Sequence, residues 1–214
     1  MTRVRPDVVL DVGANRGQFT LLVKGLFPSA TVVAFEPVEQ ALAVLRRLAA
    51  GMKGVTVVAT ACGAQRGSTT VNVAEDDDNS SLLLPTHRQL ELDPRSSTSG
   101  TEAVDIAPLD DLVDQRLLAG VSLLKIDVQG TELDVLRGAT NLLKAVTYLY
   151  VELSFLERYA GQSAPSDIVR LLDRSGFALL HLHNPISAWG GLVQVDALFG
   201  RASCRNWSPL LERR

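Results

Sequence analysis

The sequence is poor in cysteine and lacks long apolar runs, and each shortage excludes a class of protein. Its 214 residues include two cysteines, Cys62 and Cys204, which form no Cys-x-x-Cys pair and build no disulfide framework. No run approaches the roughly 18 apolar residues of a membrane-spanning helix, and the amino terminus has no apolar signal stretch. We therefore expect a soluble, cytoplasmic protein that does not enter a membrane.

A block of basic residues is also missing. The chain has 21 Lys and Arg residues against 24 Asp and Glu residues, a net charge of −3, so extended nucleic-acid binding is not indicated. Hydrophobic residues make up 46% of the chain, enough for one core of ordinary size, and the length leaves no room for a second full domain. We expect a single domain over residues 1–214, with a peripheral tail at 202–214.

The most informative segment of the chain lies at residues 8–19. An apolar strand is followed by Asp11, a turn through Gly13 and Gly17, and an amphipathic helix. The apolar positions of that helix are Phe19, Leu22, Val23 and Leu26. Glycine lets the backbone approach a ligand at the carboxyl end of a strand, and a helix start presents free N–H groups. The segment therefore predicts a site for a nucleotide-like cofactor.

The spacing of this loop distinguishes between cofactors. A dinucleotide fingerprint requires Gly-x-Gly-x-x-Gly, whereas the loop reads Asp-x-Gly-x-x-x-Gly from Asp11 to Gly17. A carboxylate at Asp11 disfavours a pyrophosphate and suits the ammonium group of S-adenosylmethionine, which carries no phosphate. An NAD-dependent reductase stays open as a weaker alternative.

The next predicted strand, 31–36, ends in a second carboxylate. Glu36 lies 19 residues after Gly17, a distance at which an acidic residue accepts hydrogen bonds from ribose hydroxyls. Both NAD and S-adenosylmethionine carry that ribose, so Glu36 does not separate them. It does argue against a site for phosphate alone.

Predicted strands and helices alternate along the rest of the chain, which favours a doubly wound α/β sheet with ligands at the carboxyl ends of its strands. The runs 121–128 and 146–153 are continuously apolar, as expected for central parallel strands. The last strand, 192–199, is expected to return antiparallel. The other predicted elements are strands at 55–59, 69–74 and 177–182 and helices at 38–50, from Thr131 with a capping-box-like start, and at 166–175.

Residues 75–103 interrupt this alternation. They are polar and rich in turn residues, and a connection of this length is typical of a functional lid or a disordered insert. Three successive aspartates, Asp76 to Asp78, are read as solvated side chains, so no metal site is predicted.

A second polar cluster follows the central strands. Lys125 and Asp127 lie two residues apart, and Glu152 closes the next strand. Polar groups in a central strand are costly unless they are paired or used. Asp11, Asp127 and Glu152 thus end three predicted neighbouring strands. We expect Lys125 to pair with a neighbouring carboxylate, or to form a structural ion pair with Glu132 or Glu152.

These motifs together resemble the FkbM family of methyltransferases, and the resemblance runs from about Asp7 to Arg201. The block KIDVQG is its specific part, because the Asp-x-Gly-x-x-x-Gly loop is shared with many methyltransferases. The resemblance implies an S-adenosylmethionine-dependent O-methyltransferase with a mostly parallel, Rossmann-like seven-stranded sheet, acting on sugars or secondary metabolites. The matching blocks are LDVGANRG at 10–17, FEP at 35–37, NSSL at 79–82, KIDVQGTE at 125–132, LRGA at 136–139 and DALF at 196–199.

The resemblance also implies roles for individual residues. Asp127 is the leading candidate to orient the acceptor hydroxyl or take its proton, with His183 as the alternative base. Asn79, Ser81 and Glu152 are expected to bind the acceptor. The expected cofactor-binding residues are Asp11, Gly13, Ala14, Asn15, Gly17, Phe19, Glu36, Pro37, Ala61, Cys62 and Asp127.

Two alternative functions are weighed against this hypothesis. A nucleic-acid methyltransferase is disfavoured because the chain lacks an (Asn/Asp)-Pro-Pro-aromatic block after the fourth predicted strand. A non-catalytic S-adenosylmethionine-binding protein of the same fold stays open, because fold does not fix the reaction. The acceptor and the oligomeric state are not encoded in any motif that we recognise.

Overall fold

Ten strands form two sheets in the computed structural model, which describes residues 5–201. Cys204 and the predicted tail at 202–214 lie outside the described residues. The strands are β1 (Val8–Val12), β2 (Thr31–Phe35), β3 (Val55–Val58), β4 (Ala61–Cys62), β5 (Gly67–Ala74), β6 (Thr98–Ala107), β7 (Ser122–Ile126), β8 (Tyr148–Ser154), β9 (Phe177–Ala188) and β10 (Gly191–Arg201). The helices are α1 (Gln18–Leu26), α2 (Glu39–Ala50), α3 (His87–Leu92), α4 (Leu109–Leu112), α5 (Glu132–Arg137), α6 (Leu142–Ala145) and α7 (Pro165–Arg174).

The main sheet has seven strands in the order β3-β2-β1-β7-β8-β10-β9. The pairings from β3 to β8 are parallel, and β10 runs antiparallel to both β8 and β9. The predicted doubly wound sheet with an antiparallel last strand is therefore confirmed. From β1 the chain continues to β2 on one side and later pairs with β7 on the other, so a crevice opens at the carboxyl end of β1.

The largest part of the core lies where β1, β7 and β8 pack against the helices of one face. All five residues of β1 are buried, as expected for a parallel strand covered on both sides. Leu10, Leu124 and Leu149 are completely inaccessible to solvent. Burial of each such side chain stabilises the fold by about 1.5–3 kcal/mol relative to exposure. The polar groups at the carboxyl ends of these strands are thus held in place by the packed apolar core beneath them.

Helix α1 presents a different face to the sheet than its apolar spacing predicts. Val23 is buried, but Leu22 and Leu26 are 55% and 63% exposed. Thr20 is fully buried instead, because its hydroxyl donates a hydrogen bond of 2.7 Å to the carboxylate of Asp11. A bond to a buried charge outweighs the pattern of leucines and fixes the rotation of the helix.

The start of α5 also differs from the prediction. Thr131 precedes the helix, but its side chain makes no capping hydrogen bond. Glu132 instead turns back, and its carboxylate accepts from the backbone N–H groups of Val128 and Gly130 at 3.2 and 3.0 Å. Glu132 therefore holds the turn that follows β7, which explains why it pairs with neither lysine nor arginine among the described residues.

The segment 75–103 ends in a strand of a second sheet, which the sequence did not reveal. Strands β4, β6 and β5 form a three-stranded sheet, with β6 covering Thr98–Ala107. Between β5 and β6 lie short 3-10 turns at Asp77–Asn79 and Pro94–Ser96 and the helix α3. The polar, serine-rich composition of this part hid its strand, since β6 is mostly exposed and its apolar positions are few.

Among the described residues, no helix has both the length and the apolar composition that crossing a membrane requires.

The bond between Thr20 and Asp11 gives a test of what orients α1. We expect Thr20→Val, which keeps the shape and removes the hydroxyl, to lower the free energy of unfolding by about 1.5–3 kcal/mol, because the buried carboxylate loses a donor. Urea denaturation followed by circular dichroism measures this value. Thr70→Val, at an exposed position of β5, is the matched control and should change it by less than about 0.5 kcal/mol. Equal stability of both variants would contradict the proposed role of the bond.

Candidate active site

A cleft of about 970 Å³ opens at the carboxyl ends of the central strands. The loop after β1 and the end of β2 form one side, and the ends of β7, β8 and β10 form the other. Residues of the segment 77–95 close its outer wall. The cleft therefore lies at the crevice where the strand order reverses, the usual ligand site of an open α/β sheet.

The loop after β1 must approach β7 very closely, and Gly13 permits this. Its φ angle is +72°, and a Cβ atom there would lie 1.8 Å from the carbonyl oxygen of Asp127. Any side chain would therefore separate the two halves of the cleft. Gly17 has a φ angle of +94° and precedes α1, where a Cβ atom would lie 2.9 Å from Leu45. It shapes the loop without lining the cleft.

Glu36 lies at the end of β2 with only 5% of its surface exposed. Its carboxylate accepts hydrogen bonds from the backbone N–H of Asn15 at 2.9 Å and of Val38 at 2.8 Å. Each oxygen keeps a further lone pair for a ligand hydroxyl. Burial raises the pKa of Glu36 to about 7, although these two N–H donors and Lys125 favour the ionised form.

Asp11 does not reach the cleft, which corrects its assignment as a cofactor contact. It is fully buried, with Thr20 on one oxygen and the Lys125 Nζ atom 3.4 Å from the other. The Lys125 ammonium also donates to the carbonyl oxygens of Val12 and Gly13 at 3.2 and 2.6 Å. Asp11 therefore acts on the glycine loop through Lys125 and cannot meet the ammonium of a ligand directly.

Lys125 connects this loop to Asp127. The Lys125 Nζ atom lies 3.8 Å from an Asp127 carboxylate oxygen. Burial alone disfavours the charge on Lys125, but Asp11 and Asp127 outweigh that effect and raise its pKa above the ordinary value. The expected pairing of Lys125 with a carboxylate is thus observed, but its partners are neither Glu132 nor Glu152.

Asp127 is the most accessible carboxylate at the tip of the central strands, with 40% of its side chain exposed. The amide of Gln129 donates a hydrogen bond of 2.8 Å to it. Because Asp127 borders both the glycine loop and the end of β8, it lies between the two halves of the cleft. An accessible carboxyl group in this place can accept a hydrogen bond from a ligand hydroxyl.

Glu152 forms a buried ion pair that the sequence did not indicate. The guanidinium of Arg158 donates to Glu152 at 3.0 Å, and both side chains are 6% exposed. Burial and the nearby Asp127 raise the pKa of Glu152, while Arg158 acts in the opposite direction. The second Glu152 oxygen accepts from the amide of Gln194 at 2.9 Å. Glu152 thus lines the cleft with both oxygens already in contact with protein donors.

The segment between β5 and β6 is fixed to the cleft by hydrogen bonds and an ion pair. Arg16 Nε lies 2.7 Å from the carboxylate of Asp77. Ser81 donates to the carbonyl oxygen of Gln129 at 2.6 Å, and the Tyr159 hydroxyl donates to the carbonyl oxygen of Asn79 at 3.0 Å. These contacts hold residues 77–81 at the border of the cleft.

The cleft brings together most of the residues that the sequence singled out. Lining it are Gly13, Ala14, Asn15, Phe19, Glu36, Pro37, Ala61, Cys62, Asn79, Ser81, Asp127 and Glu152. Asp11 and Gly17 lie behind it. His183 lines a smaller groove of about 310 Å³ beside α1, with its ring 6.2 Å from that of Tyr150. This groove adjoins the cleft and shares the residues Phe19, Leu22, Tyr150 and Asn184 with it.

Sequence reasoning missed a group of polar residues on the far side of the cleft, namely Gln89, Gln129, Tyr150, Arg158, Asn184, Gln194 and Asp196. Gln129 could have been predicted, because it belongs to the same block as Asp127, KIDVQGTE at 125–132. Gln194 and Asp196 depend on β10 pairing antiparallel with β8, where Asp196 stands opposite Glu152. Their period-2 alternation is visible in the sequence, but no local signal gives this register.

Known proteins place this cleft in a family. The model of the methyltransferase FkbM domain matches residues 11–179. The chain belongs to the FkbM methyltransferase family. The match includes the glycine loop, Glu36, the segment 75–103 and the strands that carry Asp127 and Glu152, so this domain is a methyltransferase and S-adenosylmethionine is its cofactor.

Three curated relatives are each 28% identical to this chain. They are the 2-O-methyltransferase NoeI of Sinorhizobium fredii, over 78% of this chain and 72% of the relative; the 31-O-demethyl-FK506 methyltransferase FkbM of Streptomyces tacrolimicus, over 91% and 82%; and the hexuronic acid methyltransferase AglP of Haloferax volcanii, over 79% and 62%. The chain spans less than two thirds of the last of these.

Solved structures agree on the fold. The methyltransferase FkbM of Methylobacillus flagellatus superposes with a TM-score of 0.57 and 17% identity, over 94% of this chain and 45% of that protein. The magnesium protoporphyrin IX methyltransferase of Synechocystis PCC 6803 gives a TM-score of 0.50 at 12% identity, over 94% and 72%. At these identities the likeness shows the shared methyltransferase fold alone.

The described residues fit this cofactor. Gly13 leaves the loop free of a side chain, and Glu36 has carboxylate lone pairs that can accept hydrogen bonds from hydroxyl groups such as those of a ribose. Ala61 and Cys62 add small buried side chains beyond Glu36, where a flat apolar ring packs well. Burial raises the pKa of the Cys62 thiol, so this residue acts as a small apolar group.

The raised pKa of Glu36 predicts a pH-dependent affinity for the cofactor. Ribose hydroxyls donate to a carboxylate, so a proton on Glu36 competes with them, and affinity should fall as the pH drops through about 7. We expect the Kd for S-adenosylhomocysteine to rise by up to about tenfold for each pH unit below 7, measured by calorimetry between pH 5.5 and 8.5. Glu36→Gln should bind more weakly and show a flat profile, whereas Glu39→Gln, on the exposed start of α2, should retain the wild-type profile. An unchanged slope in Glu36→Gln would refute the assignment.

Proposed function

We propose that this domain transfers a methyl group from S-adenosylmethionine to a hydroxyl oxygen of a small molecule or sugar. The observation that carries the proposal is the position of Asp127, an accessible carboxylate between two halves of one cleft. The cofactor half is formed by the glycine loop and Glu36, and the acceptor half by the polar residues on the far side, at the ends of β8 and β10. The names of two relatives, a 2-O-methyltransferase and a 31-O-demethyl-FK506 methyltransferase, support an oxygen atom as the acceptor.

In the proposed mechanism, Asp127 orients the acceptor hydroxyl and accepts its proton as the oxygen forms a bond to the methyl carbon. S-adenosylmethionine, which the glycine loop and Glu36 would hold, would supply the electrophilic methyl group and would leave as the neutral thioether S-adenosylhomocysteine. The Lys125 Nζ atom lies 3.8 Å from an Asp127 carboxylate oxygen and donates to the Gly13 carbonyl oxygen at 2.6 Å, so one side chain positions both the candidate base and the glycine loop. Positioning of this kind accounts for several kcal/mol of a barrier.

Charge and burial support a small acceptor rather than nucleic acid. The net charge of the chain is −3, and the far side of the cleft carries Asp127, Glu152 and Asp196. A phosphate backbone meets repulsion there. A cytoplasmic location stays part of the proposal on the basis of the scarce cysteines.

The first experiment is calorimetric titration with S-adenosylhomocysteine and, separately, with NADH. We expect micromolar binding of the first alone, with loss of binding in Glu36→Ala, because the ribose loses its acceptor. Binding of NADH alone would overturn the proposal. Binding of S-adenosylhomocysteine without methyl transfer to any of a panel of hydroxylated sugars and metabolites would favour a non-catalytic binding protein.

Asp127→Asn separates catalysis from cofactor binding. The amide keeps the size of the side chain but is a far weaker base, so kcat should fall by about a hundredfold or more. The Kd for S-adenosylhomocysteine should stay within a few-fold of wild type, because Glu36 and the loop are untouched. Transfer of a radiolabelled methyl group measures the first quantity and calorimetry the second. Full turnover in this variant would show that Asp127 is not the base.

A further inference from the structure

The acceptor half of the cleft contains one arginine, and each of its guanidinium nitrogens donates a hydrogen bond to a protein side chain. Arg158 is 5% exposed, and its Nε atom donates to the amide oxygen of Gln89 at 2.7 Å. One terminal nitrogen donates to Glu152 at 3.0 Å and also to Gln194. The other donates to Gln129 at 3.3 Å. Arg158 is therefore not available to pair with an anionic ligand.

The other two cations that line the cleft are also engaged. Lys125 has 8% of its side chain exposed and lies between Asp11 and Asp127, with the Gly13 carbonyl as its shortest contact. Arg95, in the outer wall, pairs with Asp76 at 2.8 Å and with a second carboxylate of its own loop. Among residues 5–201, the cleft thus offers no unpaired lysine or arginine.

Carboxylates dominate the same surface. Asp196 lies on β10 opposite Glu152 and accepts from the Tyr150 hydroxyl at 2.9 Å and the Asn184 amide at 2.8 Å. Both donors are neutral, and no lysine or arginine of the described part of the chain pairs with Asp196. Arg158 pairs with Glu152, and Lys125 is shared by the two carboxylates Asp11 and Asp127. Asp196 has only neutral donors among the described residues, so it adds a negative charge that no cation of the acceptor half offsets.

From this arrangement we infer that the acceptor is a polyhydroxylated compound that is neutral or cationic, such as a sugar or amino sugar, and that acceptors carrying a carboxylate or phosphate are rejected. The inference rests on the proposed function and narrows its substrate class. Hydroxyl and ammonium groups donate to carboxylates, whereas an anion in a partly buried cleft meets uncompensated like charge. This specificity would separate the chain from its relative that is named for hexuronic acid.

The test measures binding of three matched probes to the protein saturated with S-adenosylhomocysteine. The probes are the methyl glycosides of a hexose, its 2-amino derivative and its 6-carboxylate, in the gluco and galacto series, titrated by ligand-observed NMR at one pH and salt concentration. We expect the carboxylate to bind at least about tenfold more weakly than the neutral sugar, and the amino sugar to bind at least as tightly as the neutral one.

Two variants locate the origin of this discrimination. Asp196→Asn should reduce the difference in affinity between the neutral sugar and the carboxylate sugar, because it removes one negative charge and keeps the size of the side chain. Asp105→Asn, at an exposed position of β6 outside the cleft, should leave this difference unchanged. The wild-type comparison stands by itself if Asp196→Asn does not fold.

The outcomes distinguish this inference from the proposed function. Equal or tighter binding of the carboxylate would overturn the inference, and so would a difference in affinity that Asp196→Asn leaves intact. Binding of S-adenosylhomocysteine with none of the six glycosides would overturn the assignment to sugars while the methyltransferase proposal stands. Failure to bind S-adenosylhomocysteine would overturn the proposed function first.

Discussion

The buried ammonium of Lys125 is the interaction on which the rest of the cleft depends. It lies between Asp11 and Asp127 and donates to two carbonyl oxygens of the glycine loop. Removing a charge from water costs several kcal/mol, and this cost is offset only where opposite charges and hydrogen-bond acceptors surround it. Asp11 is inaccessible to any ligand, but its carboxylate is one of the charges that stabilise Lys125. Asp11 in turn accepts a hydrogen bond from Thr20. A strand residue, a helix residue and a loop are thus coupled through one cation.

Environment assigns different tasks to carboxylates of the same chemistry. Glu36 is buried but accepts only from backbone N–H groups, so it keeps capacity for a neutral donor. Glu152 is buried against Arg158 and serves mainly to fix the far wall. Asp127 is more exposed than either and has a neutral amide as its nearest donor. The residue that is best placed for chemistry is therefore the least constrained of the three.

Much of the fold could be predicted from the sequence, because continuous apolar runs such as 121–128 and 146–153 admit few placements in a doubly wound sheet. The cofactor half of the cleft was equally accessible, since Gly13 and Glu36 act within local motifs at strand ends. The strand β6 was not, because its exposed residues carry no alternation strong enough to distinguish it from a loop.

The far half of the cleft could not be predicted for a different reason. Arg158 and Gln194 meet Glu152 through tertiary packing, and no spacing in the sequence encodes that meeting. In α1 a clear local pattern gave a wrong prediction: the spacing of the leucines predicted that they would be buried, but the hydrogen bond between Thr20 and Asp11 turns the helix so that Leu22 and Leu26 are exposed. Local signals thus located the cofactor side and left the acceptor side to long-range contacts.

The place of β10 has a consequence for how the chain matures during synthesis. Among the described strands, β9 pairs with β10 alone, and β10 joins it to β8, so β10 is inserted between two strands that precede it in the chain. Until Gly191–Arg201 has emerged, β8 and β9 each expose an unpaired edge. The nascent chain can assemble the glycine loop and Glu36 much earlier, since they need only β1, β2 and β7. The acceptor wall is therefore completed after the cofactor half, and a chain that ends before β10 would present a cofactor pocket with no substrate side.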